Sequence, residues 1–172
     1  VRWLLATLAV LPMACGAGPG PEDDVAPDAA DTEMSVDVAD VGELVLGTHP
    51  AGISEPGEFR PLADGDALNV ELGFQGLWMV VLAFKTRDLY GAGEPLFLTG
   101  ELVVDGQSQG TLSLTDQKTT DGGDGWAYYF NFFLVVDDSR IGGRPGQVRF
   151  TARDGAGRLR EVTLDVDLTG GE

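Results

Sequence analysis

The chain carries one cysteine, Cys15, and one histidine, His49, in 172 residues. A single thiol forms no internal disulfide, so the fold is expected to hold by burial and backbone pairing alone. A single imidazole leaves no pair for a zinc site, and a Ser, His, Asp nucleophile would need that one ring beside a hydroxyl. The sequence Thr48, His49, Pro50, Ala51, Gly52 places it instead in what reads as a solvent-exposed loop. No Gly-rich loop followed by Lys is present to cradle a phosphate. Positive charge is scarce as well: 11 Lys and Arg against 28 acids give a net charge of −17. That balance excludes the broad basic face that neutralises nucleic-acid phosphates. The apolar stretch Trp3 to Leu11 falls well short of the roughly 20 residues that span a bilayer.

What that stretch does carry is an address. Arg2 precedes it, and Ala14 and Gly16 flank Cys15 with small side chains. This resembles the signal peptide of a bacterial lipoprotein, although Pro12 stands where that family usually has Leu and Leu11 lies one place earlier. The resemblance implies removal of residues 1–14, acyl chains such as palmitate on Cys15, and a protein anchored to the membrane without spanning it. Gly16, in place of Asp, resembles the pattern that sorts such lipoproteins to the outer rather than the inner membrane.

Residues 16–43 hold nine acids, no Lys or Arg and no aromatic residue. Such a segment lacks the apolar surface that would offset ordering entropy, and its charges repel. Residues 15–43 are therefore expected to be a lipidated cysteine and a disordered acidic spacer. As a flexible chain its span would be about 30 Å.

From Leu44 onward the pattern changes to short apolar runs separated by Gly- and Asp-rich turns, and residues 44–172 form one domain. Leu68, Val70 and Leu72 alternate with Asn69 and Glu71, the mark of a half-buried strand. Leu77 to Phe84 is apolar throughout, which predicts a strand covered on both faces. Asp105 and Gly106 mark a tight hairpin between Phe97 to Val104 and Thr111 to Thr115. A second hairpin joins Gln147 to Arg153 with Leu159 to Leu168. Its apolar faces coincide only if Phe150 pairs with Val162 and Thr151 with Glu161, because a one-residue slip would bury Glu161. The aromatic run is expected to alternate, with Trp126, Tyr128, Phe130 and Phe132 on one face and Tyr129, Phe133 and Val135 on the other. About seven to nine strands with no helical stretch predict an all-β, antiparallel sandwich of the immunoglobulin-like or fibronectin-like kind. Parallel strands would require crossover segments of about a dozen residues, and none is available.

One further resemblance rests on Phe59, Leu62, Asp64, Gly65, Asp66 and then Gly73, Phe74, Gln75, Gly76. This string is similar to a stretch in uncharacterised lipoproteins of predatory soil bacteria that carry an immunoglobulin-like domain. In that family a Gly, Pro, Gln, Gly, Gly run precedes a His. Here Phe74 replaces the Pro, Leu77 the last Gly, and Met79 stands near the place of the His, so no role of that His carries over.

Candidate sites are few. Asp116, Asp121 and Asp124 lie in a Gly-rich stretch that could supply oxygen ligands to calcium, but Asp and Gly are also the ordinary residues of hairpin loops. Six of the domain's ten cations fall between Arg140 and Arg160: Arg140, Arg144, Arg149, Arg153, Arg158 and Arg160, against Asp154 alone. This local excess on an acidic domain could dock an anionic envelope component such as lipopolysaccharide or a phospholipid headgroup. Otherwise it pairs across strands, with Glu161 and Asp165 in reach of Arg149 and Arg153. The sequence thus reads as a lipid-anchored surface or periplasmic protein whose domain binds or supports and does not catalyse. It requires no cofactor, and its partners would be the membrane, an anionic envelope component or another envelope protein. A calcium-stabilised adhesive domain is the alternative, and a carboxylate-based hydrolase is a more distant one that would need two acids facing across a cleft.

Overall fold

The computed structural model describes residues 43–50, 54–73, 75–89 and 95–172. The expected signal segment 1–14, Cys15, and the spacer up to residue 42 lie outside the described residues. So does Phe74.

Among the described residues there are ten strands and two short 3₁₀ turns, Pro56–Glu58 and Ser139–Ile141. The strands are β1 (Leu44–Thr48), β2 (Arg60–Pro61), β3 (Asp66–Leu72), β4 (Trp78–Thr86), β5 (Pro95–Val104), β6 (Gln107–Lys118), β7 (Thr120–Asp121), β8 (Ala127–Val135), β9 (Pro145–Asp154) and β10 (Leu159–Gly170). The fold is all-β. One hydrogen-bonded path runs β2-β1-β4-β3-β10-β9-β5-β6, and β8 flanks β4 on its other side, with β7 beyond the start of β8.

The path is a curled, mixed sheet, and β3 is where it turns. Asp66 to Val70 pair with Val166 to Gly170 of β10, while Val70 to Leu72 pair with Val80 to Trp78 of β4. The β3 to β10 pairing is parallel, against the expectation of a wholly antiparallel arrangement. Parallel strands need a long connection. Here the whole of β4 to β9 supplies it, a possibility invisible when only neighbouring strands are considered.

Curling brings β4 and β8 over β5, β9 and β10, and the core lies between. Phe84, Phe132 and Phe150 meet there, with ring centroids 5.2 Å apart for Phe84 and Phe150 and 5.1 Å for Phe132 and Phe150. Leu82, Leu134, Leu98, Leu102, Val148 and Leu168 fill the space around them. Gly100 permits this approach, because a Cβ at that position would lie 2.5 Å from the Phe132 ring. As expected, β4 is buried on both sides: Met79 through Phe84 are all covered. Leu72 departs from its alternation. It is the last residue of β3 and is 59% exposed.

Both hairpins form. Asp105 and Gly106 take φ of 49° and 75°, the mirror-type turn that matches strand twist. In the second hairpin Phe150 pairs with Val162 and Thr151 with Glu161, the register required by the apolar pattern.

The aromatic run of β8 corrects the expected alternation. Asn131 takes φ of 62°, and the pairing with β4 slips between Leu82 and Phe84. One extra residue in the strand inverts all facing after it. Trp126, Tyr128 and Phe130 accordingly join Ala83, Val45 and Phe59 in a second cluster on the outer side, whereas Phe132 crosses into the main core. Tyr129 also faces that core, stacked on Phe84 at 5.4 Å. Tyr129, Phe133 and Val135 therefore do not form one exposed patch.

His49 is not an exposed loop residue. It is 7% exposed and edge-on to Phe130 at 5.3 Å. Its Nε2 accepts the Asn131 backbone N–H at 3.1 Å, and its Nδ1 lies 2.9 Å from the Pro50 carbonyl. Only the neutral ring with its proton on Nδ1 satisfies both.

Candidate functional site

The six arginines of the 140–160 segment do not make a continuous free cationic face. Arg140 grips Asp138 of its own turn with Nε and Nη2, at 2.9 and 3.0 Å. These bonds, with the Arg140 backbone N–H, hold the Asp138 carboxyl below its ordinary range. Arg144 forms an ion pair with Asp105 in the β5 to β6 turn. Arg149 extends from the outer face of β9 to Glu101 of β5, with Nη1 and Oε2 3.4 Å apart. Arg153 lies over the Phe97 ring, 4.6 Å from its centroid. Arg158 bonds Asp154 across the β9 to β10 turn. Arg160 Nη1 donates to the Leu159 carbonyl at 2.9 Å, and its Nε is buried without a hydrogen-bond partner among the described residues.

The expected partners of Arg149 and Arg153 were Glu161 and Asp165. The bond to Arg149 comes instead from β5, the strand on the other side, where Glu101 stands directly opposite in register. Asp165 accepts from Gln147 Nε2 at 3.0 Å. The local charge excess is thus partly neutralised by acids from other parts of the chain, chiefly Glu101, Asp105 and Asp138.

Asp154 is the most enclosed ionisable group among the described residues, with no exposed surface. Burial alone would push its carboxyl up. Two hydrogen bonds from Arg158, Nε at 2.6 Å and the backbone N–H at 2.9 Å, more than offset that and hold it below the usual carboxylate range.

Two of the three calcium candidates, Asp121 and Asp124, serve their own turn. Asp121 Oδ1 accepts the Gly123 N–H at 2.9 Å. Asp124 accepts the Trp126 N–H at 3.0 Å and the Tyr128 hydroxyl at 2.8 Å. The tyrosine bond is the main cause holding the Asp124 carboxyl low, while burial, followed by that same bond, raises the Tyr128 hydroxyl. Asp116 is exposed in β6 with φ of 58°, at an irregularity in its pairing with β5. Among the described residues no three Asp, Glu, His or Cys groups come together as a cation site.

A hollow of about 420 Å³ opens beside the outer face of β5, β9 and β10. Val103, Pro145 and Gly146 line it together with Gln147, Arg149 and Asp165. Neither Val103 nor Gln147 stood out in the sequence, and Asp165 did so only as an expected partner of Arg149 and Arg153. The second hairpin's register contained part of the signal, because pairing Phe150 with Val162 also sets Gln147 opposite Asp165. The contribution of β5 came from a strand some 45 residues away in sequence.

No helix among the described residues is long and apolar enough to cross a membrane. Compared with known proteins, the chain matches no family model and no curated protein.

Proposed function

We propose that the chain is a lipid-anchored protein of the bacterial cell envelope, held at Cys15 to the outer membrane and carrying an immunoglobulin-like domain that binds without catalysing. The strand order supports the finer fold reading. Two groups, β1-β4-β8 and β10-β9-β5-β6, face each other over one core, as in sandwiches of that kind. The first strand to reach the second group, β3, pairs with the last strand of the domain.

The observation that carries the binding reading is the state of the polar groups on the β5-β9-β10 face. Glu101, Gln147, Arg149 and Asp165 are tied to one another by hydrogen bonds that fix their orientation, and a hollow lies beside them. Fixed donors and acceptors around a concavity suit recognition, because little ordering cost remains when a partner arrives. The same pairing makes a purely anionic partner a weaker fit, since Arg140, Arg144, Arg149 and Arg158 each already have an acid beside them.

Anchoring is tested by Cys15→Ser in the full chain. Each acyl methylene contributes about 0.8 kcal/mol of membrane affinity, so loss of the thiol should move the protein from the membrane pellet to the soluble fraction. A Ser variant that still pellets with membranes would overturn the lipid anchor.

A further inference from the structure

Outward side chains on adjacent strands stand side by side where the register sets them opposite one another. Val103 on β5 faces Gln147 on β9, and Gln147 faces Asp165 on β10. Two residues along, Glu101 faces Arg149. The polar members form one chain of bonds. Gln147 Nε2 donates to Asp165 Oδ1 at 3.0 Å, Arg149 Nε donates to Gln147 Oε1 at 3.0 Å, and Arg149 Nη1 donates to Glu101 Oε2 at 3.4 Å. The backbone beneath is pinned too. The Asp165 N–H donates to Asp64 Oδ1 at 2.9 Å, and its carbonyl accepts the Gly65 N–H at 2.8 Å.

The adjoining hollow, at about 420 Å³, is in the size range of small-molecule sites. Val103, Pro145 and Gly146 give it apolar and small surfaces, and Asp165, Asp167, Gln147 and Arg149 give it polar ones. We infer that this hollow binds a saccharide unit, a neutral ring that presents neighbouring hydroxyls. A hydroxyl both donates and accepts. Carboxylates that only accept, a guanidinium that only donates and an amide that does both are therefore its complement, while the apolar surface can take the C–H face of the ring. An anion fits poorly, because Asp105, Asp165 and Asp167 line the hollow against Arg149, which is already shared between Gln147 and Glu101. A bare cation fits poorly as well, because no three of the described acids converge as ligands.

This inference names a ligand class for the binding domain proposed above and rests on that reading. The full chain, solubilised in a detergent without a sugar headgroup, would be examined by saturation-transfer NMR against methyl glucoside, galactose and N-acetylglucosamine at millimolar concentration. Transfer to the ring protons of at least one probe is expected. Affinity should fall at least tenfold in Asp167→Asn and in Gln147→Ala, while Arg140→Ala, outside the hollow, leaves it unchanged; thermal melts establish that each variant is folded. No transfer from any probe, or equal transfer in folded Asp167→Asn and Gln147→Ala, would overturn the assignment and leave the anchored-domain reading standing. Transfer accompanied by cleavage of methyl glucoside would instead keep the site and overturn the non-catalytic reading.

Discussion

At the scale of single residues, Asp154 shows how a turn can be closed by one side chain. Its carbonyl accepts the Gly157 N–H, its own N–H donates to the Arg158 carbonyl, and its carboxylate takes two bonds from Arg158. Counted in the sequence it was only the lone acid among six arginines, and nothing there marked it as buried. The Asp, Gly, Ala, Gly string did disclose the turn, because Gly157 needs a positive φ that it does adopt, 87°. Replacing Asp154 with Asn keeps the shape and removes the charge, which should lower stability by about 2 kcal/mol at neutral pH. The folded carboxyl lies below its ordinary range, so its contribution is complete above the unfolded value near 4 and fades as pH falls through the folded value. The gap in melting temperature between wild type and Asp154→Asn should therefore be widest near neutrality and close in acid. A gap that stays constant with pH would show that the charge is not the source.

At the scale of the element, β8 carries the clearest difference between pattern and structure. A period of two was legible in Trp126 to Val135, but the extra residue at Asn131 was not, because the feature that holds it lies 82 positions away at His49. The imidazole accepts the Asn131 N–H, packs on Phe130 and is oriented by its neighbouring Pro50 carbonyl. What looked like a lone loop histidine is thus the partner of the bulge, and it decides which aromatic rings enter the main core. His49→Ala leaves that N–H without its acceptor and should cost about 2 kcal/mol. Hydrogen exchange at the Asn131 amide should quicken with it. Asn131→Ala, which places an ordinary side chain at positive φ, should cost about 1 kcal/mol, and Asn131→Gly should be milder. Unchanged exchange in His49→Ala would sever the ring from the bulge.

At the scale of the whole domain, strand content, both hairpins and the β9 to β10 register were legible because they follow from local alternation and turn chemistry. The pairing of β3 with β10 was not, since it joins residues about a hundred positions apart and no local pattern records it. It makes the last strand a central one, flanked by β9 and β3, with Val166 and Leu168 in the core. A chain ending at Thr163 should accordingly lose its cooperative melt, while removal of Gly171 and Glu172 should shift the midpoint only slightly. A truncated chain that melts like the full one would show that β3 does not depend on β10. The same pairing also governs how the domain would answer to force. Once β1 and β2 have peeled away, tension applied between the two ends of the chain runs along β3 and β10 in opposite senses. The register pairs from Asp66 with Val166 to Val70 with Gly170 then carry the load together as a shear instead of opening one by one. A domain tethered at one end and pulled from the other meets its stiffest resistance where its first long strand and its last lie side by side.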